Sequence, residues 1–202
     1  MERSTHPACR LTPGRAATGD DTVAVARLGA VTARMNTMAE ELSTGDLTLH
    51  ALRVSDAPEL HSIFSDPATH TIGAGVVSDI ETTRDWLRRR DERRSQHGVT
   101  WYGVRSMAGT LIGTAGLFIG RTGMEPEIGF EIRSSDQGRG HGTRAARAVV
   151  TEAHRAGWTR VWATVRPSNV ASLRALARVG FVADRTEDDE RGGLVYLRHE
   201  DR

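Results

Sequence analysis

The residues best placed to do chemistry form a glycine-rich turn, Gln137-Gly138-Arg139-Gly140-His141-Gly142-Thr143. The turn joins a segment of alternating hydrophobicity to a segment of helical periodicity. The N-terminus of a helix presents unpaired backbone N–H groups and the positive end of the helix dipole. Glycines allow that backbone to approach an anion without interference from a Cβ atom. The turn therefore predicts a phosphate-binding site at the start of a helix.

Two well-known phosphate-binding loops fit this turn poorly. A dinucleotide-binding loop would have a third glycine where Thr143 lies, and an acidic residue roughly 20 positions further on, where the chain has Trp158 and Arg160. A P-loop needs a lysine that reaches the outer phosphates, and this sequence contains no lysine. A glycine-rich turn without any ligand stays open as an alternative, because glycine is the usual residue of tight turns.

The segments on either side of the turn predict a strand and a helix. Residues 127–133 alternate between apolar and charged side chains, with Glu127 on the charged face, and this pattern predicts a strand. Residues 145–155 repeat apolar side chains every four positions and predict an amphipathic helix that ends near Gly157.

A second strand-to-helix segment follows. Residues 161–165 are mostly apolar or β-branched and predict a buried strand, after which Pro167 breaks the pattern. Asn169 and Ser172 are residue types that cap the start of a helix. Gly180 is the expected left-handed terminator of that helix.

Together these residues resemble the GNAT superfamily of N-acetyltransferases. The acyl-CoA loop of that family is matched by Gln137, Gly140 and Gly142, and its later signature by Asn169, Ser172, Gly180 and Phe181. The sequence Glu127-Ile128-Gly129-Phe130 before the loop is similar to the RimJ/RimL-type subgroup, which includes enzymes that acetylate N-terminal α-amines of ribosomal proteins. The resemblance extends from about Gly45 to the C-terminus.

The resemblance implies that acetyl-CoA is the co-substrate and that no metal takes part. The residues expected to bind the co-substrate are Ile132, Arg133, Gln137, Gly138, Arg139, Gly140, His141, Gly142, Thr143, Asn169 and Ser172. The turn is then the cradle of the CoA pyrophosphate. A backbone N–H near the end of the first strand, at Ile132 or Arg133, is expected to polarise the thioester carbonyl.

The catalytic residues implied by the resemblance are Glu127 and Ser172. Glu127 occupies the position at which family members carry a glutamate that takes the proton of the amine, directly or through water. Many members also carry a tyrosine that protonates the departing thiolate, but Leu176 stands at that position here. Ser172 is the remaining hydroxyl of the signature and is expected to replace the tyrosine. The alternatives are an ordinary polar pair for Glu127 and a helix-capping role for Ser172.

The expected reaction is direct transfer of the acetyl group to a primary amine of a protein, either an N-terminal α-amine or a lysine. At pH 7, deprotonation costs roughly 1.1 kcal/mol for an α-amine and roughly 4.6 kcal/mol for a lysine, so the α-amine demands less of the base. Two alternatives stay open: the same chemistry on a small amine such as an antibiotic or a polyamine, and a non-catalytic acyl-CoA-binding module. The acidic segment 187–190 would attract a cationic amine or form a solvated hairpin tip.

Composition argues against several other classes of function. The net charge of +1 gives no general attraction for nucleic acid. Cys9 is the only cysteine, and no two histidines have the spacing of a helical metal site. No apolar stretch is long enough to span a membrane. The resemblance and these observations together lead us to expect a cytoplasmic monomer or homodimer that binds acetyl-CoA and an amine-bearing protein, peptide or small molecule, but neither nucleic acid nor a membrane.

The domain organisation follows from the same patterns. Residues 1–44, in which Pro, Gly, Thr, Ala and Arg predominate, are expected to be a poorly ordered N-terminal extension. Residues 45–202 are expected to form one domain of mixed α/β (α+β) class. Its central sheet should be mostly antiparallel, splayed at the acyl-CoA site and flanked by about four helices, as in the GNAT fold.

Several elements can be placed along this domain. Helices are predicted at residues 56–64 and 78–96, the second with Ser78 as its N-cap. A hairpin is predicted at residues 101–118. The last two strands are predicted at residues 181–185 and 194–198.

Overall fold

The computed structural model describes residues 36–69 and 75–201 of the chain. Within them the strands are β1 (Glu41–Thr44), β2 (Leu47–Ala51), β3 (Trp101–Ser106), β4 (Leu111–Ile119), β5 (Pro126–Ile132), β6 (Arg160–Val165), β7 (Val182–Asp189) and β8 (Gly192–Glu200). The helices are α1 (Ala57–Phe64), α2 (Ile80–His97), α3 (His141–Arg155) and α4 (Val170–Val179). This is the mixed α/β architecture that the sequence predicts.

The strands form one sheet in the order β1-β2-β3-β4-β5-β6-β8-β7. All neighbouring pairs are antiparallel except β5 and β6, which are parallel and are paired in register only at Glu127 and Trp162. The two strands therefore diverge towards their carboxyl ends. The predicted splay lies at this point, directly before the glycine-rich turn.

Helices cover both faces of the sheet. The larger core contains the buried face of α3, with Val149 and Ala153, against Tyr102 and Ile112 of the sheet. A second core contains Leu60 of α1 and Leu87 of α2. Because successive residues of a strand point to opposite faces, Trp101 and Leu111, next to Tyr102 and Ile112 along the chain, lie on the α1–α2 face.

The start of α2 differs by one residue from the prediction. The N-cap is Asp79 rather than Ser78, because the Asp79 carboxylate accepts a hydrogen bond of 3.1 Å from the backbone N–H of Glu81. The helix ends at Gly98, which has a left-handed backbone conformation.

The domain begins earlier than the predicted boundary at Gly45. Strand β1 precedes Gly45 and pairs with β2, so the boundary falls inside a hairpin. Met38 is 1% exposed in the main core, and the carbonyl of Ala39 accepts a hydrogen bond of 2.8 Å from the hydroxyl of Tyr102. Residues 36–44 are therefore part of the domain. The rest of the expected extension, residues 1–35, lies outside the described residues.

The described ranges, 36–69 and 75–201, were searched for membrane-spanning helices and for metal-binding clusters. They contain no helix that is both long and apolar enough to cross a membrane. They also contain no cluster of three or more His, Cys, Asp or Glu side chains that could hold a metal ion.

Candidate functional site

The splay between β5 and β6 opens into a groove of about 490 Å³. Its lining includes Phe130 and Ile132 of β5, residues 136–138 and 140–143 of the turn, and Asn169, Ser172 and Arg174 near the start of α4. A smaller cavity of about 280 Å³ is lined by residues 128–130, 163–166 and Leu176. Phe130, Asn169 and Ser172 line both spaces, so the groove and the cavity meet beside Ser172.

The glycine-rich turn forms the end of the groove at the N-terminus of α3. Gly138 and Gly140 have φ values of 76° and 78°, a left-handed conformation that side chains disfavour. The N–H of Arg144 is the first to donate into the helix, to the carbonyl of Gly140 at 3.1 Å. The N–H groups of the three residues before it, His141, Gly142 and Thr143, thus have no intrahelical acceptor. The turn has the geometry of an anion cradle.

The arginines around the turn have different roles. Arg144 donates to Asp46 at 2.9 Å and to Nδ1 of His141 at 2.8 Å, so it links the turn to the β1–β2 hairpin. Because arginine can only donate, Nδ1 of His141 is the acceptor and the ring carries its proton on Nε2. Arg139 is 66% exposed and pairs only loosely with Asp136, at 3.8 Å. Arg139 is therefore the arginine of the turn that can move to a ligand.

Two predicted binding residues also hold the backbone of the site. The side-chain amide of Gln137 donates to the carbonyl of Ile132 at 2.8 Å and fixes the end of β5. The side-chain oxygen of Asn169 accepts from the N–H of Ser172 at 3.1 Å and caps α4. The capping role considered for Ser172 thus belongs to Asn169, while Ser172 lines the groove.

The two backbone N–H groups considered at the end of β5 are not equivalent. The N–H of Arg133 donates to the carbonyl of Ile112 in β4 at 2.8 Å, so it is occupied within the sheet. Backbone N–H groups alternate in direction along a strand, and the N–H of Ile132 therefore points to the splayed side. Of the two groups considered, only the N–H of Ile132 can act as the oxyanion donor. The side chain of Arg133 pairs with Asp136 at 2.8 Å.

Glu127 is buried on the α1–α2 face of β5. Its side chain is 1% exposed and lines neither the groove nor the small cavity. One carboxylate oxygen accepts from the backbone N–H groups of Arg121 and Thr122. The other accepts from the hydroxyl of Thr164 at 3.1 Å, and Thr164 does line the cavity. Thr164 therefore connects Glu127 to the cavity.

Glu131 is a candidate that the sequence analysis missed. It lies four residues after Glu127, on the same face of β5, and lines the groove. Burial raises the pKa of Glu131 from 4.5 to about 7. The alternation of β5 marked it only as a member of the charged face, because sequence does not show which charged positions become buried. Arg174 and Arg178 of α4 also line the groove and were not predicted.

Two of the four carboxylates of the acidic segment 187–190 are paired with arginines. Residues 187–189 belong to β7 rather than to a hairpin tip. Asp189 accepts from Arg166 at 2.7 Å and from Arg121 at 3.2 Å, and Glu187 accepts from Arg185 at 2.6 Å. Hydrogen bonds from Arg166 and from the backbone of Arg191 lower the pKa of Asp189.

Comparison with known proteins identifies the family of this arrangement. The sequence profile of the acetyltransferase (GNAT) domain matches residues 46–182. A RimL ribosomal L7/L12 α-N-protein acetyltransferase in complex with coenzyme A is 18% identical, with a TM-score of 0.71 over 80% of this chain and 98% of that chain. The ribosomal-protein-S5-alanine acetyltransferase from Vibrio fischeri is 18% identical, with a TM-score of 0.69 over 79% of this chain and 96% of that chain.

A third structure is named for self-immunity to microcin C7 and not for a ribosomal protein. The microcin C7 self-immunity acetyltransferase MccE, in complex with acetyl-CoA and AMP, is 14% identical, with a TM-score of 0.68 over 78% of this chain and 93% of that chain. At these identities the three structures show a shared fold.

Proposed function

The chain belongs to the acetyltransferase (GNAT) family and is an acetyl-CoA-dependent acetyltransferase, and we propose that its acceptor is the N-terminal α-amine of a protein or peptide. The observation that carries this proposal is the continuous path from the anion cradle of α3, past Ser172, to the cavity beside Thr164 and Glu127. Fold similarity to the two ribosomal-protein acetyltransferases supports placing the chain near the RimJ/RimL-type subgroup.

The groove fits the parts of acetyl-CoA in order. The free N–H groups at the start of α3 and the mobile charge of Arg139 face the pyrophosphate. The edge of β5 that β6 leaves unpaired offers backbone groups to the pantetheine amides, and the N–H of Ile132 points to the same side. Ser172 then lies where the groove meets the cavity, beside the expected position of the thioester.

The chemistry requires two proton transfers. The amine nitrogen forms a bond with the thioester carbonyl carbon, and the carbon–sulfur bond breaks. The proton lost by the amine passes to Glu127 through the hydroxyl of Thr164, which already donates to that carboxylate. The departing thiolate takes a proton from the hydroxyl of Ser172, which regains a proton from solvent, while Glu127 releases the proton of the amine to solvent, so both side chains return to their starting states. Leu176, which replaces the tyrosine of other family members, lies in the cavity wall and is 1% exposed.

An α-amine suits this site better than a lysine does. Free α-amines have a pKa of about 7.8 and lysines one of about 10.4, so a lysine must be deprotonated against a cost about 3.5 kcal/mol larger. Glu127 already accepts hydrogen bonds at both oxygens, and Glu131 has a pKa of about 7. Acceptors with a pKa near neutrality match a base with the pKa of Glu131.

Release of CoA thiol from acetyl-CoA tests the proposal. Three acceptors are compared: a peptide with a free N-terminus and no lysine, the same peptide N-terminally blocked and carrying one lysine, and a polyamine. We expect turnover with the first peptide and a much smaller rate with the other two. Turnover only with the lysine peptide or the polyamine would contradict the assignment of the α-amine, and absence of turnover with all three would contradict catalysis on amines.

A further inference from the structure

A cluster of aromatic rings lies beside Glu127 on the α1–α2 face of the sheet. Trp101 is paired across the strands with Gly116, which is paired in turn with Gly129. A Cβ atom at Gly129 would lie 2.6 Å from Cη2 of Trp101, so the indole ring rests directly on this glycine. Gly129 lines the small cavity, and Phe118, the cross-strand partner of Glu127, packs against Trp101. The cluster therefore adjoins the small cavity at Gly129, on the α1–α2 face of the sheet.

Arg90 of α2 inserts its guanidinium group into this cluster. The Cζ atom lies 4.6 Å from the ring centroids of both Trp86 and Trp101, and 5.6 Å from that of Phe118. Contacts of this kind hold a cation over aromatic faces and leave the edge of the guanidinium group to form hydrogen bonds. The rings fix the position of Arg90 without using its donors.

Among the described residues, no carboxylate pairs with the charge of Arg90. Its Nε atom is buried without a hydrogen-bond partner in that part of the chain. The charges that act on it are those of Arg89 and Arg93, and burial together with these neighbours lowers the pKa of Arg90 to about 10. A partly buried cation without a counter-ion is unfavourable, and binding of an anion removes that penalty.

The opposite side of Glu127 is also rich in positive charge. Arg121 and Arg166 both line the small cavity and share the single carboxylate of Asp189. Glu127 itself is turned to Thr164 and to the backbone at residues 121 and 122. The lining of the small cavity contains Arg121, Arg166 and Arg191 and no carboxylate side chain, which favours an anionic group on the acceptor.

We propose that Arg90 binds a carboxylate of the acceptor, so that the preferred acceptors are amines with an acidic group close to the reacting nitrogen, such as peptides with Asp or Glu next to the N-terminal residue. The proposal rests on the amine acetylation proposed above. A guanidinium group pairs with a carboxylate through two parallel hydrogen bonds, which would also orient the amine towards Thr164 and Glu127.

Matched peptides and matched variants test this role. Two peptides differ only at the second residue, Glu in one and Gln in the other. With the unmodified enzyme, kcat/KM should favour the Glu peptide by about tenfold or more, the range expected for a charged hydrogen bond. Arg90→Gln should bring the ratio close to one, mainly through KM of the Glu peptide. Arg90→Lys should keep part of the preference, and Arg89→Gln, which removes the same charge from the neighbouring exposed position, should keep all of it.

A binding experiment separates this proposal from the catalytic one. Trp86 and Trp101 both contact Arg90, so their fluorescence is a direct probe of the site. N-acetylaspartate α-amide, which carries one carboxylate, should give a saturable change that is absent with the uncharged N-acetylasparagine α-amide and lost in Arg90→Gln. If this signal occurs without turnover of any peptide, the carboxylate site stands and amine acetylation is wrong.

Other outcomes would overturn the role of Arg90. Equal kcat/KM for the Glu and Gln peptides, or a preference that Arg90→Gln and Arg90→Lys leave intact, would show that Arg90 only packs against the aromatic rings. Loss of the preference for the Glu peptide in Arg121→Gln but not in Arg90→Gln would show that the carboxylate of the acceptor binds beside Arg121 instead. Absence of any saturable signal with N-acetylaspartate α-amide would exclude the site even if catalysis were absent.

Discussion

Glu127 combines a buried position with contact to the cavity through one hydroxyl group. Glu127→Gln keeps the size of the side chain and removes its capacity to take a proton, so kcat should fall by about 100-fold or more. Binding of acetyl-CoA should not change, because Glu127 lines neither the groove nor the cavity. Glu125→Gln is the matched control, since Glu125 bonds Arg160 and Trp162 instead. Equal losses of kcat in the two variants would contradict a catalytic role for Glu127.

Thr164 is the expected connection between that carboxylate and the acceptor. Thr164→Val preserves the shape of the side chain but removes the hydroxyl that donates to Glu127 at 3.1 Å. We expect kcat to fall by about tenfold or more, whereas Thr164→Ser should retain most of the activity. The pH profile of kcat distinguishes a relay from a packing role. A relay predicts that the valine variant loses activity over the whole profile, and equal activity of the Val and Ser variants would exclude it.

Glu131 makes the stability of the protein depend on pH. Its pKa is raised from 4.5 to about 7 by burial, so the folded protein binds a proton that the unfolded chain releases between these values. The stabilisation that comes from this bound proton is therefore complete below pH 4.5 and is lost as the pH rises through 7, so the free energy of unfolding falls over this range. Glu131→Gln should remove this dependence and raise stability at pH 8 by up to about 3 kcal/mol.

Urea unfolding at pH 5 and pH 8 measures this effect, with Glu125→Gln as a control at a more exposed carboxylate of the same region. The unmodified protein should lose more stability between the two pH values than Glu131→Gln does. The same loss in both proteins would show that Glu131 is not the titrating group.

The residues that lie at the site could be predicted where they belong to a sequence motif, but not where their role depends on burial. The order of residue types predicted that Ser172 and the glycine-rich turn lie together, and both line the groove, whereas the catalytic roles of Glu127 and Ser172 stay predictions. The choice between the N–H groups of Ile132 and Arg133 depends on which strand each faces, and this register is a tertiary property. Glu131 and Arg90 were not predicted, because neither the packing around a carboxylate nor three aromatic residues distant in sequence can be inferred from a local pattern.

The start of α3 and the turn before it act as one element. Gly140→Ala forces a Cβ atom onto a residue with φ of 78°, which costs about 1–2 kcal/mol of stability and shifts the N–H groups that face the groove. We expect acetyl-CoA affinity to fall by about tenfold. Gly109→Ala is the matched control, because Gly109 has the same φ of 78° in the β3–β4 turn, with nothing within 4 Å of an added Cβ atom. Calorimetry should show similar losses of stability and weaker acetyl-CoA binding only for Gly140→Ala.

Helices and strands were predicted more closely than their ends. Periodicity placed α1 to α4 because each buries one face, and the predicted left-handed residue Gly180 does terminate α4. The N-cap of α2 was predicted at Ser78 and lies at Asp79, because two adjacent polar residues can both cap a helix and only the backbone geometry selects one of them. Strand β7 extends through the acidic residues to Asp189 because arginine partners neutralise them, which the strand propensity of Asp and Glu does not predict.

The whole sheet is organised around the single parallel pair, β5 and β6. Antiparallel pairing on both sides holds these strands in place, and their brief contact at Glu127 and Trp162 leaves the divergent ends open for a ligand. The fold thus places the cradle of α3 and the carboxylate of β5 at opposite ends of one strand. Such an arrangement needs the complete sheet, including its first hairpin.

The contribution of that hairpin can be measured by comparing a chain that begins at Asn36 with one that begins at Gly45. The shorter chain lacks β1 and the buried side chain of Met38, and the buried hydroxyl of Tyr102 loses its acceptor at Ala39. We expect the free energy of unfolding to fall by about 3 kcal/mol or more. Met38→Ala in the longer chain should account for about 2 kcal/mol or more of this difference. Equal urea midpoints for the two chains would return the domain boundary to Gly45. A lower midpoint for the shorter chain places the boundary before Gly45, because the core on which the splayed strands rest is then incomplete without residues from the segment 36–44.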